Sequence, residues 1–128
     1  MNKEDKQLLL TDLCGRLPHG IYVYHEDYCE DNPEKLDTIH YDSQLGDYGF
    51  QCCVDDMDEG YHSIEKIKPY LRPMSSMTKE EEETECYLRT YQARRYADFC
   101  NSKHLDYRGL IEKGLAIEAP EGMYKLKQ

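Results

Sequence analysis

The chain has 128 residues, a length that fits one domain with its own apolar core. Its 26 acidic and 16 basic residues give a formal net charge of −10, and no apolar run approaches membrane-spanning length. Twelve tyrosines and two phenylalanines are more aromatic residues than a disordered chain carries. The composition therefore excludes a membrane-spanning helix and favours an ordered, acidic domain over a fully disordered chain, while the order of the acidic stretch stays open.

The negative charge is concentrated in one stretch, residues 26–59. This stretch holds twelve acidic residues and one basic residue, a net of −11, whereas the rest of the chain holds 14 acidic and 15 basic residues, a net of +1. Such a field repels nucleic acid and anionic membranes and attracts basic proteins. We therefore expect a basic protein partner, no direct binding of nucleic acid and no binding to a membrane.

Cysteine usage bears on the cellular compartment. The six cysteines are Cys14, Cys29, Cys52, Cys53, Cys86 and Cys100. No secretory signal precedes them, since residues 1–6 are mostly polar and the only early apolar run is Leu8 to Leu10. We therefore expect reduced thiols in a cytoplasmic protein.

The first half of the chain predicts one helix followed by strands. Residues 3–14 carry leucines at helical spacing, with Asn2 as the N-cap and Gly15 just past the end. Short apolar runs separated by turn residues then predict about four strands within residues 20–68. The runs lie at 21–24, 36–42, 48–54 and 61–67. Because the turns between them are short, we expect an antiparallel meander or a small barrel-like sheet.

The second half predicts a linker, a long helix and an extended tail. Residues 69–77 contain two prolines and predict a rigid linker. Thr78 and Glu81 match a capping box, and acidic residues early and basic residues late favour one helix over residues 78–101. Its buried stripe is expected to contain Leu88, Tyr91, Tyr96, Phe99 and Cys100.

The C-terminal segment, residues 105–126, combines a short helical turn with an extended piece. Asp106 is expected to cap a turn through residues 110–111 that Gly114 closes. A Pro-Glu-Gly sequence at 120–122 predicts the turn of a hairpin or of an extended strand. Together these elements predict a single α+β domain spanning residues 1–128.

No pattern in the chain predicts a metal or cofactor site. The acidic run at 55–60 fails as a calcium loop, because aligning Gly60 with the sixth position puts Met57 at the third and Lys66 at the twelfth. His25, His40 and His62 could converge if their strands align, but no paired Cys-x-x-Cys supports zinc. We expect no metal, no cofactor and no enzymatic activity.

Cysteine nucleophiles are not favoured either. Cys14 falls at a helix C-terminus, where the helix dipole raises the pKa of a thiol. No glycine-rich phosphate loop is present, and no spacing of carboxylates favours acid–base catalysis. The cysteines are expected to be small buried apolar residues.

Three stretches carry a resemblance to known proteins. They are LLLTDLCGRLP (Leu8 to Pro18), IKPYLRPMSSMT (Ile67 to Thr78) and LDYRGLIEKGLAIEAPEGMY (Leu105 to Tyr124). The chain resembles small uncharacterised proteins of gut Bacteroidetes and their prophages over a little more than a third of its length. This resemblance implies a cytoplasmic, bacterial or phage-associated protein and assigns no catalytic or binding residue. Because the matching stretches bracket the strands, it also implies a scaffold in which Arg72 or Arg108 pairs with an acid to hold the linker on the tail.

The acidic stretch, rich in tyrosine, predicts a non-enzymatic interaction module. In one version, a phage or mobile-element protein blocks a nucleic-acid-binding host protein, with carboxylates standing in for backbone phosphates. The residues predicted to bind the partner are Glu26, Asp27, Glu30, Asp31, Asp55, Asp56, Asp58, Glu59, Tyr24 and Tyr48. Two alternatives stay open: a regulatory or structural domain whose acidity serves only solubility, and an enzyme or ligand binder with a pocket between the long helix and the sheet.

Overall fold

A computed structural model describes residues 2–25, 34–43, 47–52 and 62–124. The protein has the expected α+β fold. The chain divides into two compact units, Met1–Tyr70 and Leu71–Gln128. The length predicts a single domain, in which both units would unfold together, and this stays a prediction.

The first unit begins with helix α1, Lys3–Arg16. Asn2 caps it as predicted, because its side-chain oxygen accepts the amide of the third helical residue at 2.7 Å. The helix runs two residues past its predicted end, since Gly15 lies inside it. The chain then passes through one 3₁₀ turn, Leu17–His19, and Gly20 reverses it in the left-handed conformation (φ 75°).

Five strands follow, and each hydrogen-bonded pair among them is antiparallel. They are β1 (Tyr22–His25), β2 (Glu34–Asp42), β3 (Asp47–Cys52), β4 (His62–Ser63) and β5 (Ile67–Leu71). Their order is β4-β3-β2-β1-β5, so the first four form the predicted meander and β5 lies beside β1. A register shift between Leu36 and Thr38 leaves Asp37 as the extra residue of a bulge in β2.

Two predictions fail near the end of this unit. The strand expected over 61–67 is interrupted by a 3₁₀ turn, Ile64–Lys66. The linker expected over 69–77 is partly strand, because Pro69 lies within β5 opposite Val23. Buried and more exposed residues alternate along β5, so one face of the strand is buried. The free energy gained by this burial outweighs the loss of the one backbone hydrogen bond that proline cannot donate.

The core of the first unit is apolar with one ion pair inside it. Its buried apolar residues are Leu9, Leu13, Ile21, Val23, Leu36, Phe50, Ile64 and Ile67. Asp12 and Arg16 lie one turn apart on α1 with both side chains 0% exposed, and Arg16 Nε donates to Asp12 Oδ2 at 2.7 Å. No pattern in the sequence indicates that this pair is buried.

The second unit contains helices α2 (Lys79–Tyr91) and α3 (Ala93–Ser102). The single helix predicted over 78–101 is wrong, because the backbone leaves the helical conformation at Gln92 (φ −138°, ψ 62°). Tyr96 Oη donates to Glu85 Oε1 at 3.2 Å. Eleven residues of an unbroken helix span roughly 16 Å, so this contact requires the break.

The break also changes which residues of the helices are buried. Tyr91, expected in the buried stripe, is 74% exposed, whereas Cys100 is fully buried as expected. The buried residues of α2 are Glu81 and Glu85, so its inward face carries carboxylates. The capping box of Thr78 with Glu81 is confirmed.

The C-terminal segment confirms two local predictions. Asp106 accepts the amides of Leu110 and Ile111 at 2.8 and 3.0 Å, and Gly114 ends the turn at φ 77°. Strand β6, Ile117–Glu118, then leads into the predicted turn. The second arm of the expected hairpin lies largely outside the described residues.

None of the helices in the described parts of the chain is both long enough and apolar enough to cross a membrane.

Candidate functional surfaces

Most of the predicted partner-binding surface falls outside the part of the chain that the structure describes. All eight acidic residues of that prediction lie outside the described residues: Glu26, Asp27, Glu30, Asp31, Asp55, Asp56, Asp58 and Glu59. Tyr24 and Tyr48 are described. Of the predicted acidic binding surface, the structure therefore describes the two tyrosines and strands β2 and β3.

Tyr48 belongs to an exposed aromatic pair on the β2–β3 hairpin. It lies directly opposite Tyr41 in the strand register. The two rings meet edge to face, with centroids 5.7 Å apart and planes at 82°. Tyr41 is 57% exposed and Tyr48 is 42% exposed. We call Tyr41 and Tyr48 the hairpin tyrosine pair.

Tyr24 does not lie beside this pair. It is half-buried on β1, next to the position where Val23 pairs with Glu34 of β2. The hairpin pair lies at the other end of β2, seven residues further along, which is roughly 23 Å at the usual rise of a strand. Tyr24 and Tyr48 therefore belong to different ends of the same sheet.

Helix α2 carries a second exposed aromatic pair. The rings of Tyr87 and Tyr91 lie 5.3 Å apart, and both side chains are more than half exposed. We call them the helix tyrosine pair. The sequence around the two pairs differs in charge: residues 34–52 carry four acids and one base, a net of −3, whereas residues 86–96 carry three arginines and no acid.

A buried arginine organises the start of the second unit. Arg72 forms a two-point ion pair with Glu81, its Nη1 and Nη2 donating to the two carboxylate oxygens at 2.9 and 2.7 Å. The same nitrogens donate to the backbone carbonyls of Lys103 and Ser76 at 3.1 and 3.0 Å. Arg72 thus pairs with an acid of α2 rather than with an acid of the tail, and it reaches the segment after α3 through a carbonyl.

The Arg72 ion pair also shifts the acid–base equilibrium of its carboxylate. The hydrogen bond from Arg72 is the main cause that holds the pKa of Glu81 below its usual 4.5, and the backbone amide of the capping box adds to it. Partial burial acts in the opposite direction but is outweighed. Glu81 is therefore a charged structural group at neutral pH and not a proton donor.

A cavity of about 420 Å³ opens beside Arg72, within the second unit. It is lined by Arg72, Pro73, Ser76, Glu118, Ala119, Pro120, Glu121, Gly122 and Tyr124. Local structure explains how these residues meet. The amide of Ala119 donates to the carbonyl of Leu71 at 2.8 Å, which places the end of β6 beside Arg72. The turn that follows is closed by the amide of Met123 on the carbonyl of Pro120 at 3.1 Å.

Two residues with positive φ lie at or next to this cavity: Gly122 lines it, and His104 supports its wall residue Tyr124. Gly122 has φ 86° at the third position of its turn, where glycine is favoured. His104 has φ 61°, uncommon for a residue with a side chain, and its backbone is held because Arg72 N–H donates to the His104 carbonyl at 2.7 Å. The His104 ring stacks on Tyr124, with centroids 3.7 Å apart, and so positions one wall of the cavity.

Two groups that could carry reactive chemistry, Cys14 and Tyr96, are stabilised in their protonated forms. Partial burial raises the pKa of the Cys14 thiol, which disfavours the thiolate. Burial first, and then Cys100 and the Glu85 carboxylate, raise the pKa of Tyr96 well above its usual range. Tyr96 therefore stays protonated and donates to Glu85 instead of acting as a base.

The three histidines considered as metal ligands are described only in part. His25 is buried on β1, and its ring lies 5.2 Å from that of Phe50. His40 and His62 lie on β2 and β4, where the strand register places them opposite Gly49 and Phe50. Among the described residues, no group of three or more histidine, cysteine, aspartate or glutamate side chains could hold a metal ion.

Sequence reasoning missed part of both surfaces. Tyr41 was not among the predicted binding residues, because only the strand register shows that it lies opposite Tyr48. The cavity residues Glu118, Glu121 and Tyr124 were not predicted as a site either: the resemblance implied that the linker is held on the tail, but no residue pattern places these side chains beside Arg72, some fifty residues earlier in the chain.

No family model matches this chain, and neither a curated protein nor a solved structure matches it.

Proposed function

We propose that the protein is a non-enzymatic interaction module that binds a basic partner protein through its acidic hairpin. The observation that carries the proposal is the hairpin tyrosine pair, two large exposed rings in contact within a net-negative stretch. Tyrosine is enriched at protein interfaces because it combines a large apolar area with a polar tip. A basic partner can gain both aromatic contact and charge attraction at this surface.

The surrounding charge gives the surface its selectivity. The sequence of the two strands and their turn, residues 34–52, has a net charge of −3. A basic partner is attracted by this charge, whereas an acidic partner is repelled by it. The chemistry of the hairpin therefore favours lysine- or arginine-rich protein surfaces.

The finer proposal concerns the biological setting. The partner is a nucleic-acid-binding protein of the host, and the chain, as a cytoplasmic phage or mobile-element protein, occupies the basic surface that nucleic acid would otherwise cover. What supports it is the net charge of −11 over residues 26–59. The resemblance to prophage proteins also supports it. Competition between the chain and a DNA duplex for the captured partner is the corresponding measurement.

The test compares the two tyrosine pairs. Tagged wild-type chain and two double variants, Tyr41→Ala with Tyr48→Ala and Tyr87→Ala with Tyr91→Ala, are used to capture proteins from bacterial lysate at low and high salt. We expect the wild type and the helix variant to capture one basic protein. The hairpin variant should capture at least about tenfold less of it, and high salt should weaken capture by every form of the chain. Equal loss with both variants, or capture of acidic proteins, would contradict the proposal.

A second variant tests the acidic residues that lie outside the described part of the chain. Reversing Asp55, Asp56, Asp58 and Glu59 to lysine changes the net charge by eight units and is expected to abolish capture of the basic partner. Unchanged affinity of this variant at moderate salt would exclude a role of the acidic stretch.

A further inference from the structure

A cavity of about 420 Å³ lies beside Arg72 in the second unit. We propose that it is a binding site for an alkyl guanidinium group, the chemistry of an arginine side chain or of a free arginine-derived amine. The inference is independent of the proposed function, because every residue that lines the cavity belongs to the second unit, whereas the hairpin tyrosine pair belongs to the first.

The size of the cavity suits a small organic group. Its volume of about 420 Å³ falls within the range of roughly 300–1,000 Å³ that is usual for ligand sites. Two prolines, an alanine and a tyrosine supply apolar wall, and two glutamates supply charge. A narrow apolar stem with a charged planar end fits this combination.

The charge of the cavity selects a cation. Glu118 and Glu121 both line it, and neither carboxylate takes part in a hydrogen bond or ion pair with any residue that the structure describes. Arg72 also lines it, but its guanidinium is already matched to Glu81 through two hydrogen bonds. The charge of Arg72 is therefore balanced, and the two glutamates leave the cavity net negative.

The aromatic wall selects a guanidinium over an ammonium. Tyr124 lines the cavity, and its stack on His104 holds the ring in a defined orientation. A guanidinium is planar and can stack on a tyrosine face while its N–H groups bind a carboxylate at two points. An ammonium is a strongly hydrated point charge that uses neither geometry as well.

The turn that carries Glu121 supports a preformed site. Gly122 takes a positive φ that other residues rarely adopt, and the amide of Met123 closes the turn on Pro120. Because Pro120 also has a fixed φ, the backbone of the turn that carries Glu121 has little freedom before a ligand binds. Preorganisation of this kind lowers the entropic cost of binding.

The experiment is a titration of the ¹⁵N-labelled full chain, followed by NMR, with N-acetyl-arginine N-methylamide. We expect saturable shifts at the amides of Arg72, residues 74–76, residues 118–119 and residues 121–122, with a dissociation constant of about 1 mM. The neutral isostere N-acetyl-citrulline N-methylamide is expected to produce no saturable shift. Because this comparison uses the unchanged chain, it tests the proposal without any variant.

Three variants localise the binding. Glu118→Gln and Glu121→Gln are each expected to weaken it about tenfold, the usual effect of losing one charge-assisted hydrogen bond. Glu112→Gln is the matched control, since Glu112 is an exposed glutamate of the same unit that does not line the cavity. It removes the same charge and is expected to leave the dissociation constant within about twofold.

Two further probes identify the source of the group. Agmatine represents a free arginine-derived amine, and the peptide Gly-Gly-Arg-Gly-Gly represents a protein side chain. Tighter binding of one of them supports the site and names its source. Equal binding of the citrulline probe, equal weakening by Glu112→Gln, or no saturation by about 20 mM arginine probe would overturn the proposal. A lysine probe that bound as tightly as the arginine probe would overturn the choice of guanidinium.

Discussion

The two units bury an arginine–carboxylate pair in opposite ways. In the first unit, Asp12 and Arg16 lie one turn apart on α1 with both side chains 0% exposed. In the second unit, Arg72 joins the end of β5 to Glu81 of α2 and to the carbonyl of Lys103 after α3. The first pair is local in sequence, and the second connects segments 9 and 31 residues apart.

The difference follows from the cores in which the pairs lie. Among its described residues, the first unit has eight buried apolar side chains from α1, the strands and the adjoining turns. The described buried apolar residues of the second unit are Leu71, Cys100, Leu105, Leu110, Leu115 and Ala116, and its helix α2 turns glutamates inward. The first pair therefore lies inside an apolar core, whereas the second pair connects α2 to its neighbours through an inward carboxylate.

The largest effect is expected where a charge would be left buried. Arg16→Met removes the ion partner of Asp12 inside the core, and we expect the free energy of unfolding to fall by about 3–5 kcal/mol in a urea titration. The control is the double variant Asp12→Leu with Arg16→Met, which replaces the pair by apolar side chains and should regain most of the loss. A double variant as unstable as the single one would show that the burial of an unmatched carboxylate is not the cause.

An intermediate effect is expected at the connecting pair of the second unit. Glu81→Gln keeps the shape of the side chain but removes its charge, and we expect a loss of about 2–3 kcal/mol at pH 7. The neighbouring substitution Glu80→Gln changes the same charge at an exposed position of the same helical turn and serves as the control. Similar losses for both variants would show that the helix dipole, and not the contact with Arg72, is responsible.

The effect of Glu81→Gln should also depend on pH. The pKa of Glu81 is lowered below 4.5 in the folded chain, so this group stabilises the fold above pH 4.5 and loses that contribution as the pH falls through its folded pKa. The difference in melting temperature between the wild type and Glu81→Gln should therefore be full at pH 7 and narrow at pH values below 4.5. A difference in melting temperature that stayed constant from pH 7 to pH values below 4.5 would show that the charge of Glu81 does not stabilise the fold.

The smallest effect is expected at the surface pair of α2. Arg89 Nε donates to Glu85 Oε1 at 3.0 Å with the same one-turn spacing as Asp12 and Arg16, but the Arg89 side chain is 62% exposed. Water solvates the exposed guanidinium when this pair is broken, and Glu85 keeps the hydrogen bond from Tyr96, so Arg89→Ala should leave the urea midpoint unchanged within error. A loss close to that of Arg16→Met would show that burial does not set the order of these three pairs.

Local elements of the fold were predictable from the sequence. The caps at Asn2 and Thr78, the turn capped by Asp106 and the first three strands were all expected, and the structure contains them. Each depends on residues within a few positions of one another, which is the range over which capping and strand alternation act. Pro69 is the exception, because burial along β5 overrides the tendency of proline to end a strand.

The candidate surfaces were predictable to a smaller extent. The acidic stretch drew attention to Tyr48, but its partner Tyr41 became apparent only from the strand register. The cavity could not be predicted, because it forms where the residues around Arg72 meet the turn at 120–123. Nothing in the composition of either segment indicates the other.

The sequence by itself determined the charge distribution, the α+β class, the helix caps and most strands, because these depend on composition and on short-range hydrogen bonds and alternation. Only the tertiary structure decided that the predicted long helix breaks at Gln92 and that two buried arginines form ion pairs with carboxylates. It also decided that Glu118, Glu121 and Tyr124 line a common cavity. These features arise from contacts between side chains that become neighbours only after folding. The free energy of such contacts depends on burial, which no short window of sequence contains.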